Sequence, residues 1–168
     1  GGVANLFLYL SGIDLGELNV EFLKNEIKDK WDETIAIASA LLKDFPECII
    51  MPSDVALNIS GNRVDHPLKA LPIEAPIFDL GITSVQSLSK AIKSAGTIIL
   101  NGPAGVFEMS DFALGTIEVL NACAESDGYS VIGGGHTATL VSQRGLTNKM
   151  QFYYKRFVFC IDLLLCDL

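Results

Sequence analysis

Two glycine-rich turns carry the residues of this chain that are best suited to chemistry. The first ends the stretch 97–108, Thr-Ile-Ile-Leu-Asn-Gly-Pro-Ala-Gly-Val-Phe-Glu, and the second lies in 129–137, Tyr-Ser-Val-Ile-Gly-Gly-Gly-His-Thr. In each stretch an apolar run rich in Ile or Val precedes the turn and a helix-like pattern follows, which is how α/β proteins place ligand sites. Backbone N–H groups in such turns can approach an anion, and the next helix points its positive end at it. Together the turns predict one phosphate-bearing ligand held between two loops.

The first turn offers an amide and a carboxylate. Asn101 directly follows a predicted strand, so its amide either donates to a phosphate oxygen or belongs to an Asn-Gly turn that tolerates positive φ. Glu108 precedes a predicted helix, where an acid is either favoured by the helix dipole or available as a hydrogen-bond acceptor for a ligand. Gly102 and Pro103 shape the bend, and Val106 with Phe107 would face a base or the core.

The second turn offers backbone groups more than side chains. Gly133, Gly134 and Gly135 permit close approach of a ligand, whereas a tight strand-to-helix turn needs only one glycine. Thr137 adds a hydroxyl in the first turn of the following helix. This loop is therefore predicted to provide backbone N–H groups to an anion.

The elements that position these turns follow a βα period. Apolar spacing predicts helices over 3–10, from Asn19 to Ile27, over 32–45, 84–95, 110–125 and 136–143, with Asn19 and Ser110 as N-caps and Gly145 as a stop. Short β-rich runs predict strands at 48–51, 54–59, 64–68, 77–80, 97–100 and 129–132. We therefore expect an α/β fold with a Rossmann-like, doubly wound parallel sheet in three αβα layers.

Bulk composition narrows the function classes. With 168 residues the chain can bury one substantial core, and its net charge of −8 without a Lys/Arg cluster argues against nucleic acid as a partner. Local backbone dipoles can still hold a nucleotide against that overall charge. The four cysteines lack metal-ligand spacing, no signal peptide is visible and no apolar run reaches the ~20 residues of a membrane span. We expect a cytoplasmic protein that contacts no membrane.

The two turns resemble those of one enzyme family. Asn-Gly-Pro-Ala-Gly-Val-Phe-Glu at 101–108 is similar to the Asn-Gly-Pro-x-Gly-x-Phe-Glu signature of phosphoglycerate kinases, and Ser-Val-Ile-Gly-Gly-Gly at 130–135 is similar to their second glycine loop. Gly1-Gly2-Val-Ala-Asn resembles the end of an earlier strand and turn. The resemblance covers residues 1 to about 150, the nucleotide-binding C-terminal half, and is strongest to the archaeal members.

The resemblance implies a bound Mg-ATP or Mg-ADP. Glu108 would accept hydrogen bonds from the ribose hydroxyls, and the second glycine loop would follow the phosphates, with Gly134 and Gly135 positioning the transferring group. Gly1 and Gly2 would pack against adenine, with Phe78 on its other side. The implied nucleotide site is Gly1, Gly2, Phe78, Asn101, Gly102, Pro103, Val106, Glu108, Gly133, Gly134, Gly135, His136 and Thr137.

His136 departs from the family pattern. Most relatives have Asp at this position, where it helps to hold the Mg²⁺ of the metal–nucleotide complex. Neutral imidazole is a poor ligand for this hard, oxygen-preferring cation. Either His136 contacts a phosphate or the metal relies on water and phosphate oxygens, so no protein metal ligand is assigned.

The last residues, 151–168, differ from the family and contain no glycine. Relatives would supply a strand, a Ser-Thr-Gly-Gly-Gly turn and a final helix there. We interpret this tail as a non-native ending, such as a shifted reading frame; an edge strand or an amphipathic helix that covers the sheet is the alternative.

The resemblance further implies transfer of a phosphoryl group between 1,3-bisphosphoglycerate and ADP. In this family 3-phosphoglycerate binds to an N-terminal half that the sequence does not show, so we expect negligible turnover by this chain alone. A nucleotide-binding module without catalysis and a poorly folding product remain alternatives. A dinucleotide dehydrogenase is disfavoured because no Gly-x-Gly-x-x-Gly turn with its acidic partner is present.

Overall fold

The structure is a computed structural model that describes residues 1–150 and a short strand at 152–153. The chain divides into two compact units, Gly1–Ser84 and a second that begins at Val85. The described helices are α1 Gly2–Leu10, α2 Glu17–Ile27, α3 Trp31–Asp44, α4 Ile82–Ser94, α5 Leu114–Glu125 and α6 Gly135–Gln143. The described strands are β1 Asp54–Ile59, β2 Asn62–Pro67, β3 Ile77–Leu80, β4 Thr97–Asn101, β5 Tyr129–Gly133 and β6 Phe152–Tyr153.

The first unit contains an antiparallel sheet in the order β2-β1-β3. The predicted hairpin is present, because Ser60 and Gly61 both adopt positive φ, 53° and 88°, and such a turn matches the twist of the strands that it joins. Leu8, Leu23 and Leu57 are among the side chains that form the apolar core of this unit.

The second unit contains the predicted parallel sheet, in the order β4-β5-β6. Ile98, Leu100 and Ile132 are buried on one face of this sheet and share a core cluster with apolar residues of α4, α5 and α6. Strands that alternate with helices produce this arrangement, since each helix buries its apolar stripe against the sheet. The α/β class is confirmed, and the parallel sheet lies where the βα period indicated.

Two predicted helix caps are wrong. Helix α2 begins at Glu17, and Asn19 is a buried residue inside it, whose Nδ2 donates to the Leu15 carbonyl at 2.8 Å and to the Ala75 carbonyl at 3.1 Å. Its Oδ1 accepts from Ile77 N–H at 2.9 Å, so this amide joins α2 to the chain around β3. Ser110 lies in a separate 3₁₀ turn before α5 and caps no helix.

The predicted strand at 48–51 is also wrong. A 3₁₀ turn occupies Pro46–Cys48, no regular element follows at 49–52, and Ile50 is 53% exposed. An apolar run this short becomes a strand only where a neighbouring strand offers hydrogen-bond partners. The predicted stop at Gly145 is confirmed, because this residue adopts φ 67° directly after the C-cap of α6.

The start of α4 is capped by side chains from distant strands. The Asp54 carboxylate accepts from Thr83 N–H at 3.0 Å and from Ser84 N–H at 2.7 Å, while Asp65 Oδ1 accepts from Ile82 N–H at 3.0 Å. A carboxylate at this position satisfies N–H groups that have no partner inside the helix. These contacts fix where α4 begins. Within the described ranges no helix combines the length and the apolar character needed to cross a membrane.

Candidate functional site

The two glycine turns leave the same edge of the parallel sheet. Strands β4 and β5 are direct neighbours, and their last residues, Asn101 and Gly133, are paired in register. The carboxyl ends of parallel strands are where α/β folds place ligand sites. The sequence expectation that both turns lie together therefore agrees with the geometry of the second unit.

Asn101 packs tightly against the second turn. A Cβ atom added to Gly134 would lie 2.8 Å from Asn101 Oδ1, and one added to Gly133 would lie 3.2 Å from the same atom. Gly134 also adopts φ 86°, which side chains disfavour. Gly134 is thus required by the protein's own packing and backbone conformation, whereas a side chain at Gly133 would need Asn101 to move by a few tenths of an ångström.

A hydrogen bond joins the two turns. The Gly102 N–H donates to Thr137 Oγ1 at 3.1 Å, and Thr137 has no exposed surface (0%). The resemblance implies that Thr137 belongs to the nucleotide site, which stays a prediction, and in the structure its oxygen accepts a backbone N–H of the first turn. Thr137 therefore lies in the site as the residue that holds the first turn against α6.

A second threonine, Thr116 of α5, was missed by sequence analysis. Its Oγ1 accepts from Ala104 N–H at 3.0 Å and from Gly105 N–H at 3.3 Å, and the residue is 2% exposed. Its position near the start of the helix after the turn was the only available signal, and such a threonine is common in any helix. Thr116 and Thr137 together fix the first turn from two helices.

Aromatic contact brings the far ends of the two turns together. The Phe107 and His136 rings lie 5.9 Å apart between centroids, at 60° to each other. An edge-to-face pair at this separation is favourable and orients both rings. Pro103 and Val106, from the same turn as Phe107, are half-buried. The ring contact places His136 against the first turn, at the position where the family pattern has Asp.

Glu108 lies beside this contact, directly after Phe107, and is exposed. Among the residues that the structure describes, no hydrogen bond or ion pair engages its carboxylate. A carboxylate with both oxygens accessible can accept from two neighbouring donors, such as vicinal hydroxyls. The geometry leaves Glu108 available for such a ligand.

The start of α6 provides the positive part of the site. Gly134 is its N-cap and Gly135 its first residue, and no acidic side chain lies in the first turn. The first N–H groups of a helix have no partner within it, and the helix dipole adds partial positive charge. This end of α6 is suited to an anion.

Three predicted site residues belong to the first unit. Gly1 is the N-cap of α1 and its carbonyl accepts from Asn5 N–H at 3.2 Å, while a Cβ on Gly2 would meet nothing within 4 Å. Phe78 lies half-buried in β3. Their contact with adenine remains a prediction, because the interactions described above all lie within the second unit.

The described residues contain no group of three or more His, Cys, Asp or Glu side chains that could hold a metal ion. Glu108 is the carboxylate of the first turn, and the imidazole of His136 is a poor partner for Mg²⁺. The residues present therefore fit a metal that arrives with an oxygen-rich ligand better than one held by a protein cage.

The fold and the site define the class of this protein. It is an α/β protein in which two glycine turns, joined by a hydrogen bond, lie at the carboxyl edge of a parallel sheet. The family model for phosphoglycerate kinase matches residues 1–155. The chain belongs to the phosphoglycerate kinase family.

Relatives and solved structures agree with this assignment. The chain is 41% identical over 150 residues to phosphoglycerate kinase of Methanothermobacter thermautotrophicus, covering 89% of this chain and 36% of that protein. It is 44% identical over 136 residues to the enzyme of Methanopyrus kandleri, covering 81% and 33%. The crystal structure of phosphoglycerate kinase from Pyrococcus horikoshii superposes with a TM-score of 0.80 at 34% identity, covering 91% of this chain and 38% of that one. The structure of phosphoglycerate kinase from Coxiella burnetii superposes with a TM-score of 0.76 at 27% identity, covering 92% of this chain and 39% of that one. The chain thus spans little more than a third of the proteins that it matches.

Proposed function

We propose that this chain binds ATP or ADP as the Mg²⁺ complex and forms the nucleotide-binding part of a phosphoglycerate kinase. The observation that carries the proposal is the hydrogen bond from Gly102 to Thr137, which holds both glycine turns at one edge of one sheet. A ligand with a phosphate chain and a sugar can contact both turns at once. A single glycine turn would not distinguish this ligand from any other anion.

Each group of the site has a role that follows from its chemistry. The N–H groups at the start of α6, with Gly134 and Gly135, hold the phosphate chain and position the group that is transferred. The Asn101 amide donates to a phosphate oxygen, and Glu108 accepts from the ribose hydroxyls. His136 donates to a phosphate. The nucleotide oxygens and water supply the ligands of the Mg²⁺ ion.

The reaction proposed for the whole kinase moves a phosphoryl group from 1,3-bisphosphoglycerate to ADP, and in the reverse direction from ATP to 3-phosphoglycerate. Phosphoryl transfer depends on positioning and charge neutralisation more than on covalent chemistry by the protein. The phosphoglycerate would bind to the part of the relatives that lies outside the matched third. We therefore expect this chain alone to bind nucleotide with negligible turnover.

Calorimetric titration with Mg-ADP tests the binding proposal. Glu108→Gln removes a charged acceptor, so we expect affinity to fall by roughly 10- to 150-fold, from ~1.5–3 kcal/mol per charge-assisted hydrogen bond. Asp127→Asn makes the same charge change at an exposed position just before β5, at the opposite end of the strand, and should bind normally. Equal effects of both changes, or no binding by the parent chain, would contradict the proposal.

A coupled assay with ATP and 3-phosphoglycerate tests the expected lack of turnover separately. Intact kinases typically turn over at ~1–100 s⁻¹. A rate in that range for this chain would show that it completes the reaction without further elements, while leaving the nucleotide site in place.

A further inference from the structure

A buried hydroxyl on α5 holds the middle of the first glycine turn. Thr116 is 2% exposed, and its Oγ1 accepts from Ala104 N–H at 3.0 Å and from Gly105 N–H at 3.3 Å. The helix itself is anchored, because its Val119 and Leu120 are buried in the core cluster of the second unit. The middle of the turn is therefore tied to a helix whose own position is set by packing.

Two backbone hydrogen bonds carry this fixed position forward to Glu108. The Phe107 N–H donates to the Gly105 carbonyl at 2.9 Å, and the Met109 N–H donates to the Val106 carbonyl at 3.0 Å. Hydrogen bonds that span two or three residues close tight turns and leave the backbone little freedom. Glu108 lies between these two donors in the sequence. The position of its backbone therefore depends on the peptide groups that the α5 hydroxyl holds.

The Glu108 side chain has no support of its own. It is exposed, and within the part of the chain that the structure describes no hydrogen bond engages its carboxylate. Ordering a side chain or a loop on binding costs free energy, so such a group recognises a ligand well only where its backbone is already in place. Recognition by Glu108 therefore depends on the residues that fix the turn.

We propose that Thr116 is a positioning residue, which sets the place of the Glu108 carboxylate and thereby the preference of the site for a ribose over a deoxyribose. This inference rests on the proposed function, in which Glu108 accepts from the ribose hydroxyls. Because Thr116 is buried, it acts through the turn rather than by touching the ligand. Thr137 holds the other end of the turn at Gly102, so the start of α6 keeps its contact with the phosphates when Thr116 is changed.

Calorimetric titration with two ligands tests this proposal: Mg-ADP and its 2′-deoxy analogue, which lacks one of the ribose hydroxyls. We expect the parent chain to bind Mg-ADP more tightly. Thr116→Val keeps the shape of the side chain but removes the acceptor, and it should weaken Mg-ADP binding by roughly 2- to 30-fold. The deoxy analogue should lose less, so the ratio of the two dissociation constants falls toward unity. Thr116→Ser keeps the acceptor and should restore the ratio.

Ser84→Ala is the matched control in the first unit. Ser84 Oγ also accepts from two backbone N–H groups, those of Ser53 at 2.9 Å and Asp54 at 3.0 Å, and Ser84 is 5% exposed. Its loss costs stability without changing the first turn, so the ratio of dissociation constants should keep the parent value. If Thr116→Val does not unfold cooperatively, Thr116→Cys takes its place, because sulfur is only a weak acceptor, and should shift the ratio in the same direction.

Three outcomes would overturn this proposal while Mg-ADP binding itself still stands. Equal losses for both ligands in Thr116→Val would show that the hydroxyl has a structural role only. A changed ratio in Ser84→Ala would show that any loss of stability alters the preference. Equal affinity of the parent chain for both ligands would leave no sugar contact to position. Failure of the parent chain to bind Mg-ADP would instead refute the proposed function, and this inference with it.

Discussion

The substitution Thr137→Val removes the hydrogen bond that joins the two turns while keeping the size of the side chain. Thr137 Oγ1 accepts from Gly102 N–H at 3.1 Å, and the side chain is fully buried. Valine has no acceptor, so the Gly102 N–H loses its partner. An unsatisfied buried donor costs ~1–3 kcal/mol. Because Gly102 is only half-buried, water can recover part of this, and we expect a loss of ~1–2 kcal/mol in the free energy of unfolding.

The assay must report on the second unit. The single tryptophan, Trp31, lies in the first unit, so its fluorescence is unsuitable. Hydrogen exchange of the amides at 97–105 measures the local opening free energy of β4 and its turn. The expected loss corresponds to exchange that is faster by roughly 5- to 30-fold at these amides.

Two variants on the same helix control this experiment. Thr139→Val makes the same change at an exposed residue whose hydroxyl donates to the Gly135 carbonyl at 2.8 Å, and it should cost less than ~0.5 kcal/mol. Thr137→Ser keeps the acceptor and should preserve most of the protection of Gly102. If Thr137→Val and Thr139→Val behave alike, the hydrogen bond does not hold the turns together and our reasoning about the site is refuted.

Three further predictions concern packing, capping and thiol chemistry. Gly134→Ala should destabilise the second unit by ~2–4 kcal/mol in urea unfolding and abolish nucleotide binding, since it adds a Cβ 2.8 Å from Asn101 Oδ1 at φ 86°. Asp54→Asn should cost ~1–3 kcal/mol near neutral pH, because the carboxylate caps α4. Burial raises the pKa of Asp54, but hydrogen bonds from Ser84 and Thr83 outweigh this and leave the pKa below its ordinary value. The stabilisation by the Asp54 carboxylate is therefore present above pH ~4 and is lost as pH falls through the lowered pKa. At pH 8, iodoacetamide should modify exposed Cys48 and spare Cys123, since burial raises the pKa of Cys123 to about 12 and leaves ~10⁻⁴ of it as thiolate.

Controls separate each effect from its alternatives. Gly145→Ala is the control for the packing effect, because Gly145 has φ 67° and an added Cβ would meet nothing within 4 Å. It carries only the cost of the backbone conformation, so an equal loss of stability from Gly134→Ala would contradict the contact with Asn101. Asp44→Asn changes an exposed acid in the first unit; if its pH profile of stability matches that of Asp54→Asn, the cap does not cause the acid dependence. For the thiols, peptide mapping in urea should show both modified, and rapid labelling of Cys123 without urea would contradict its burial.

Local sequence patterns predicted most elements of the second unit. The Ile-rich run at 97–100 and the Val-Ile run before Gly133 became adjacent strands, and the glycine turns follow them as expected. These patterns are informative because alternation and helix starts depend on residues only a few positions apart. The strand predicted at 48–51 is absent, and no regular element occupies 49–52.

The caps failed as well. Asn19 has the side chain of an N-cap, but its partners include Ala75 and Ile77, more than fifty positions away. Conversely, the position of Thr116 near a helix start is too common a feature to show that it would fix the first turn. Polar side chains that bond to distant backbone cannot be identified from their own neighbourhood.

The sequence by itself determined the family, the βα order and the two glycine turns, because each depends on short runs of residues. Only the tertiary structure decided which polar groups meet: Thr137 with Gly102, and Asp54 with the start of α4. Strand order and register bring these groups within bonding distance, and both follow from burying the whole apolar surface at once.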